Sequence, residues 1–313
     1  MSVPDPKELI ALKTIRAMKN RWQLYALIFL PVAYILVFAY YPMIGAQIAF
    51  REFSMRGGMW NSKWVGLQNF RTFMSSAVFW QVLRNTISLS LYGLIAGFPF
   101  PILLAIGITY AGNKPFRKTL QMLSYAPYFI STVVMCGIIL QFLNPRNGII
   151  NLGLQALGVG PVEFIASAAL FPSVYVWTGI WQYVGFNSII YIAVLAGINP
   201  ELHEAAIIDG ATKVRRIVHI DFPGILPTTV VLLILNVGQI LNVGFEKVLL
   251  LQTPLNMQTS EVIATYVYKV GLIAKFPNYS LATAIGLFQS IIALALLVLV
   301  NQISRRLSEN SLW

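Results

Sequence analysis

The densest chemistry in this chain lies in one polar stretch, Asn199-Pro-Glu-Leu-His-Glu-Ala-Ala-Ile-Ile-Asp-Gly-Ala-Thr-Lys-Val-Arg-Arg-Ile-Val-His-Ile-Asp-Phe-Pro223. His203 and Glu204 begin what would be an H-E-x-x-H helix, in which two imidazoles one turn apart hold zinc and the carboxylate activates water. Ile207 stands where the second imidazole is needed, and His203 and His219 are the only histidines, with no cysteine near either. A zinc site is short of ligands, and no metal site is expected. The chain also lacks a G-x-S-x-G nucleophile elbow and a G-x-x-x-x-G-K-[ST] phosphate cradle. The residues therefore read as those of a protein that is not an enzyme, with no catalytic residues and no cofactor of its own.

What the stretch can do is dock. Asn199 is a good N-cap with Pro200 at the first helical position, and Glu201 and Glu204 sit where the helix dipole favours negative charge. Leu202, Ala205, Ala206 and Asp209 share one face, and the two alanines keep it low enough for another protein surface to approach closely. Gly210 ends or bends this helix, and Thr212 to His219 is expected to form a second short one before Pro223 starts the next apolar segment. The alternative is a helix resting on the membrane surface, but such helices are rich in Lys and Arg, whereas Glu201, Glu204 and Asp209 make this front half acidic.

The elements that must hold this loop are membrane helices. Of the 313 residues 57% are hydrophobic and 11% charged, and the mean hydropathy is +0.71, against about 25% charged residues in soluble domains. Six apolar windows are long enough to cross the bilayer: residues 24–45, 86–110, 120–142, 170–195, 224–245 and 280–300. None contains a charged residue, as the cost of ions in hydrocarbon demands. Pro172 either starts the fourth span or kinks it. The first window lacks an A-x-A-like cleavage site and reads as a retained helix. Lys and Arg number 13 in the two ends and the 111–119 and 196–223 loops, against 9 in the other three loops. The positive-inside rule therefore places both termini and the 199–223 loop in the cytoplasm. The net charge of +11 then reflects loop topology, and no nucleic-acid partner is expected. The lone cysteine, Cys136, reads as a small buried residue. The fold class is an all-α membrane protein, with residues 1–313 as a single membrane domain in contact with lipid.

Two further sets of residues bear on a solute. Trp177, Trp181, Gln182, Tyr183 and Asn187 lie along the fourth span, and Asn236, Gln239 and Asn242 are spaced by three along the fifth. Uncharged polar groups and aromatic rings are what sugars bind, but inter-helix hydrogen bonds or an interfacial aromatic belt would use the same residues. The 46–85 loop carries Arg51, Arg56, Lys63, Arg71 and Arg84 against Glu52 alone, together with Phe53, Trp60, Trp64, Phe70 and Phe73. It reads as a small packed or interfacial element, and its positive charge could gather an acidic polysaccharide or contact lipid phosphates.

The loop resembles a known family. Glu204-Ala205-Ala206, three residues, Gly210, nine residues, then Ile220-Asp-Phe-Pro223 match the EAA loop, E-A-A-x3-G-x9-I-x-L-P, of importer permeases in the ATP-binding-cassette (ABC) superfamily, with Phe222 where Leu is usual. Six matching positions at background frequencies of about 5–8% agree by chance on the order of once in 10⁷ starting points. The likeness covers nearly the whole chain. Leu30-Pro31, Tyr41-Pro42-Met43, Trp64 to Phe70, Asn85-Thr86, Tyr125 to Ser131 and Ser311-Leu-Trp313 look like the subgroup that imports complex or polymeric sugars, alginate among them.

This resemblance implies a six-helix type I importer permease in a bacterial inner membrane, one of two homologous permease subunits that form the pore. A separate dimeric ATPase would bind ATP and Mg, and an extracytoplasmic binding protein would deliver an oligo- or polysaccharide. Glu204, Ala205, Ala206, Asp209 and Gly210 would then belong to the coupling helix that seats in the ATPase, with Glu204 pairing a basic residue there. The competing expectation is a channel-like or structural membrane subunit without ATP coupling. An ion-coupled carrier would normally place a carboxylate or Lys within its spans.

Overall fold

The computed structural model describes residues 21–307, so Lys7, Lys13, Arg16, Lys19 and Ser311-Leu-Trp313 lie outside the described residues. The chain runs through a long helical segment α1 (Trp22–Phe50), a hairpin of β1 (Arg51–Ser54) and β2 (Ser62–Trp64), α2 (Gln68–Met74) and the span α3 (Ala77–Tyr110). After α4 (Lys114–Tyr125), α5 (Thr132–Phe142) and α6 (Ile149–Ala156) comes the span α7 (Phe171–Ala196). Next are the loop helix α8 (Pro200–Ile208), the span α9 (Lys213–Gly238), the short α10 (Phe245–Leu251) and α11 (Ile263–Tyr268), and the last span α12 (Tyr279–Leu307).

Among the described residues five helices are long and apolar enough to cross a membrane, with a sixth crossing only if a bent pair serves as one. The 120–142 window is not one helix. The chain bends by 104° between Lys114–Phe129 and Thr132–Phe142. Pro127 falls in the 3₁₀ turn Ala126–Phe129, and Ser131 caps the next helix by accepting from Val134 N at 3.4 Å. A proline lacks a donor, and a β-region cap residue redirects the chain. The fifth span also departs from its window, since α9 stops at Gly238 and residues 239–244 turn before α10. The expected short helix Thr212–His219 is fused to that span, because a π segment, Ile217–Asp221, carries the helix into Pro223. A second π segment, Leu36–Tyr40, precedes Pro42 in the same way. In both, the wider turn makes room for a ring that would collide with the carbonyl four residues back. Pro172 starts α7 and does not kink it.

α7 sits at the centre, against both halves of α3, the α4 segment and its 3₁₀ extension, α9 and the turn Met257–Ser260. Its lower end packs Tyr191 and Leu195 on Ile102, Ala105 and Ile225. Its upper end packs Phe171 and Val174 with Met135, Cys136, Ile139, Val248 and Leu251, and Cys136 is buried as the sequence suggested. A third cluster joins Phe73 and Phe79 to Ile263 and Ile285. The 46–85 region does pack, with Phe50 stacked on Trp64 and tilted on Phe70, though Trp60 stays exposed. Phe53 N donates to Ser280 Oγ at 2.8 Å, which ties the hairpin to α12. By contrast α1 buries nothing between Trp22 and Met43, and an all-apolar helix of that kind is solvated by lipid or by partners.

The tightest contact is between backbones. A Cβ on Gly185 would lie 1.9 Å from Ser124 O. Gly185→Val should therefore destabilise the detergent-solubilised protein by more than the about 1–3 kcal/mol usual for overpacking, read as a lower thermal transition. Gly137→Ala, where an added Cβ meets nothing within 4 Å, should leave it unchanged. Equal effects at the two positions would remove the close approach.

Candidate functional site

α8 is built as the sequence dictates. Asn199 accepts from Glu201 N at 3.1 Å at its start. At its end Gly210 N donates to Ile207 O at 3.0 Å and Ala211 N to Ala206 O at 2.8 Å, with Gly210 at φ +75°. These paired bonds with a left-handed residue form a Schellman stop, which only glycine adopts without a Cβ penalty. Glu201, Glu204, Ala205 and Asp209 are exposed, and Leu202, Ile207 and Ile208 add an apolar surface that no described residue covers, Ile208 being 85% exposed.

One side of α8 is nevertheless held. His203 Nε2 lies 3.4 Å from Asp221 Oδ1, and Tyr110 Oη donates to Asp221 Oδ2 at 2.6 Å. Asp221 is buried, and the Arg216 guanidinium lies 5.6 Å from the centre of the Tyr110 ring. A single carboxylate at the start of α9 thus gathers the loop helix and the end of α3. Sequence reasoning treated His203 as a failed metal ligand and Asp221 as the free position of a motif, and it missed their pairing across 18 residues.

A second site lies deeper. A cavity of about 750 Å³ opens between α3, α7, the end of α9 and the chain that follows it. Tyr183, Asn187, Asn236, Gln239 and Asn242 line it, as do Ser90, Glu246 and Lys247. Gln239 and Asn242 reach the wall from the turn after α9, not from a helical face with Asn236 as their spacing implied, because the helix has ended at Gly238. Asn242 donates to Gln239 Oε1 and accepts from Gln289 Nε2 at 3.0 Å. Asn187 makes no side-chain hydrogen bond among the described residues.

The other three candidates are elsewhere. Trp177 Nε1 donates to Tyr92 Oη at 2.9 Å, and its ring meets Phe100 edge-on; Trp181 is half exposed and does not line the cavity. Gln182 is buried, and its Nε2 donates to Ile130 O at 3.3 Å, a carbonyl set free by the break in the third span. Two cavity residues went unforeseen. Tyr175 Oη accepts from Gly244 N at 3.0 Å and its carbonyl from Lys247 Nζ at 3.0 Å. Lys247 lies past the end of the fifth span on α10, where burial pulls its pKa down to about 8. A hydropathy window stops at its first charge, so it gives no sign of a charged residue folded back among the spans.

With this geometry in view, the comparisons with known proteins are specific. Residues 97–309 match the family model "Binding-protein-dependent transport system inner membrane component". The polygalacturonan/rhamnogalacturonan transport system permease protein YteP of Bacillus subtilis is 36% identical over 290 residues, 93% of this chain and 90% of that one. Protein LplB of the same organism is 35% identical over 295 residues, 94% of this chain and 92% of its own length. A chain of a bacterial alginate ABC transporter, solved in complex with an alginate pentasaccharide-bound periplasmic protein, superposes with a TM-score of 0.87 at 38% identity. That match covers 95% of this chain and 99% of the other.

The Asp221 contacts generate a test. Tyr110→Phe removes a hydrogen bond to a carboxylate and should cost about 1.5–3 kcal/mol of local stability. The expected readout is faster amide exchange over residues 200–208, with exchange in α12 unchanged. Unaltered exchange in α8 would mean that Asp221 does not hold it.

Proposed function

The chain belongs to the family of binding-protein-dependent transport system inner membrane components, and on that footing we propose that it forms half of the pore of an ATP-driven importer for an oligo- or polysaccharide. It is a membrane transport subunit, not an enzyme. The second half is a homologous permease, the energy comes from a separate dimeric ATPase that binds ATP and Mg, and an extracytoplasmic binding protein delivers the sugar. Both termini and the α8 loop face the cytoplasm, in keeping with the Lys and Arg distribution.

The observation that carries this reading is that two spans touch both sites. α9 meets α8 through Asp221 and lines the cavity through Asn236, fifteen residues on, or about 22 Å at 1.5 Å per residue. α3 reaches Asp221 through Tyr110 and the cavity through Ser90 and Gly93. A helix is stiff along its axis, so displacement of α8 by a docked ATPase moves the cavity wall. The exposed Glu204, Ala205 and Asp209, with the half-buried Ala206 and the Gly210 stop, supply the docking face, and Glu204 pairs with a basic residue of the ATPase. Alanine keeps that face low, and Leu202, Ile207 and Ile208 provide apolar area for the groove. In the cavity, the free amide of Asn187 and the Tyr183 ring suit the hydroxyls and apolar faces of a sugar.

Glu204→Lys reverses the charge at the docking surface. In proteoliposomes holding the complete transporter it should lower sugar uptake by about tenfold or more and disconnect ATP hydrolysis from substrate, while the variant inserts at wild-type levels. Normal substrate-stimulated uptake would remove Glu204 from the mechanism.

A further inference from the structure

Lys247 is 6% exposed and stands on the cavity wall. Its ammonium donates to Tyr175 O at 3.0 Å and lies 5.0 Å from the centre of the Tyr175 ring. Gly179 leaves room for it, since a Cβ there would come within 3.3 Å of Nζ. No carboxylate pairs with it among the described residues: Glu261 pairs with Lys269, and Asp221 lies against His203. Glu246 precedes it on the same wall but is exposed and makes no ion pair with it.

An unpaired buried ammonium is costly, and a methionine would fill the same space without that cost. The arrangement fits a charge that is neutralised only when cargo arrives. The Nζ has three donors, one of them spent on Tyr175 O, so two remain for an anion. The ring and the carbonyl fix the ammonium on the wall of a cavity that the neutral amides Asn187, Asn236 and Asn242 also line, and these can hold sugar hydroxyls. We infer that Lys247 is a specificity-determining residue that binds the carboxylate of a uronate unit, so that the cavity favours acidic over neutral oligosaccharides. This rests on the importer reading above and narrows its substrate class. The permease named for polygalacturonan/rhamnogalacturonan and the transporter named for alginate are similar to this chain over nine-tenths of its length, and both polymers contain uronate.

The test uses the complete transporter with its own binding protein in proteoliposomes, with tetragalacturonate and its methyl ester as probes. Each variant is compared with wild type on the same probe, which cancels the preference of the binding protein. Lys247→Gln should lower uptake of the free acid by about tenfold or more and leave the ester within about twofold. Lys247→Arg should retain most of the acid uptake, and both variants should melt as wild type does. Unchanged acid uptake in Lys247→Gln, or equal loss of both probes with a lower melting temperature in both variants, would overturn the assignment and leave the importer reading standing. A wild-type transporter that carries no saccharide at all would sink the importer reading itself, and this inference with it.

Discussion

Inside a bilayer a backbone carbonyl or amide has no water to turn to, and the fold is arranged around a sharp break between two apolar helices. Between Ala126 and Ser131 the pair of helices Lys114–Phe129 and Thr132–Phe142 bends by 104° and frees the Ile130 carbonyl. Gln182 on α7 donates to it, Ser131 caps the helix that follows, and Tyr128 stacks on Phe186 with ring centres 3.7 Å apart. None of this could reach α7 if position 185 carried a side chain, because the glycine there touches the Ser124 backbone. The missing Cβ brings the two chains together, and that closeness lets a buried amide satisfy the break. α7 then presents its remaining faces to α3 and α9, and the cavity is what those three helices do not fill.

The same spans connect the loop to the cavity, and a buried carboxylate anchors the loop end. At the loop, Asp221 gathers His203 and Tyr110, so α8 is fastened to both α3 and α9. Further along, Ile102, Ala105, Leu195 and Ile225 pack around Tyr191 in a cluster that is apolar apart from the Tyr191 hydroxyl, which bonds Thr229. Dispersion contacts of this sort resist compression but have no strong preference for register. A directional anchor at the end of a smooth apolar interface lets the loop helix set the position of the spans as a body. The π segment before Pro223 serves that continuity, because it lets α9 run unbroken from the loop to Gly238 despite the proline.

Charge is used sparingly and in two different ways. Glu261 is buried and pairs with the partly exposed Lys269, and hydrogen bonds from Gln252 and Thr265 to the carboxylate help to hold the segment between α10 and α11. Asn85 on α3 donates to the Gln258 and Glu261 carbonyls at 2.9 Å and fixes the same segment from the other side. Lys247 shares the low-dielectric surroundings but not the partner. The first arrangement is structural because its ammonium is paired with a carboxylate, whereas the second has no carboxylate and leaves two donors over at a cavity wall.

Residue type and spacing alone determined the membrane class, five of the crossings, the start and stop of α8, and the family to which the loop belongs. Hydropathy reports burial in lipid, and the caps Asn199 and Gly210 act within a few residues of themselves, so both are local properties that a linear reading can recover. The tertiary structure alone decided which polar residues meet. It gave Gln182 the inter-helix role that its type had left open, as a partner for Ile130, placed Trp177 and Trp181 off the cavity wall, moved Gln239 and Asn242 onto a turn, and brought Lys247 in from beyond the fifth span. The physical reason is that a hydrogen bond needs its partner within about 3 Å, and in a bundle that partner comes from another helix. Helical period fixes which face a residue occupies; only the packing of that helix fixes what the face meets.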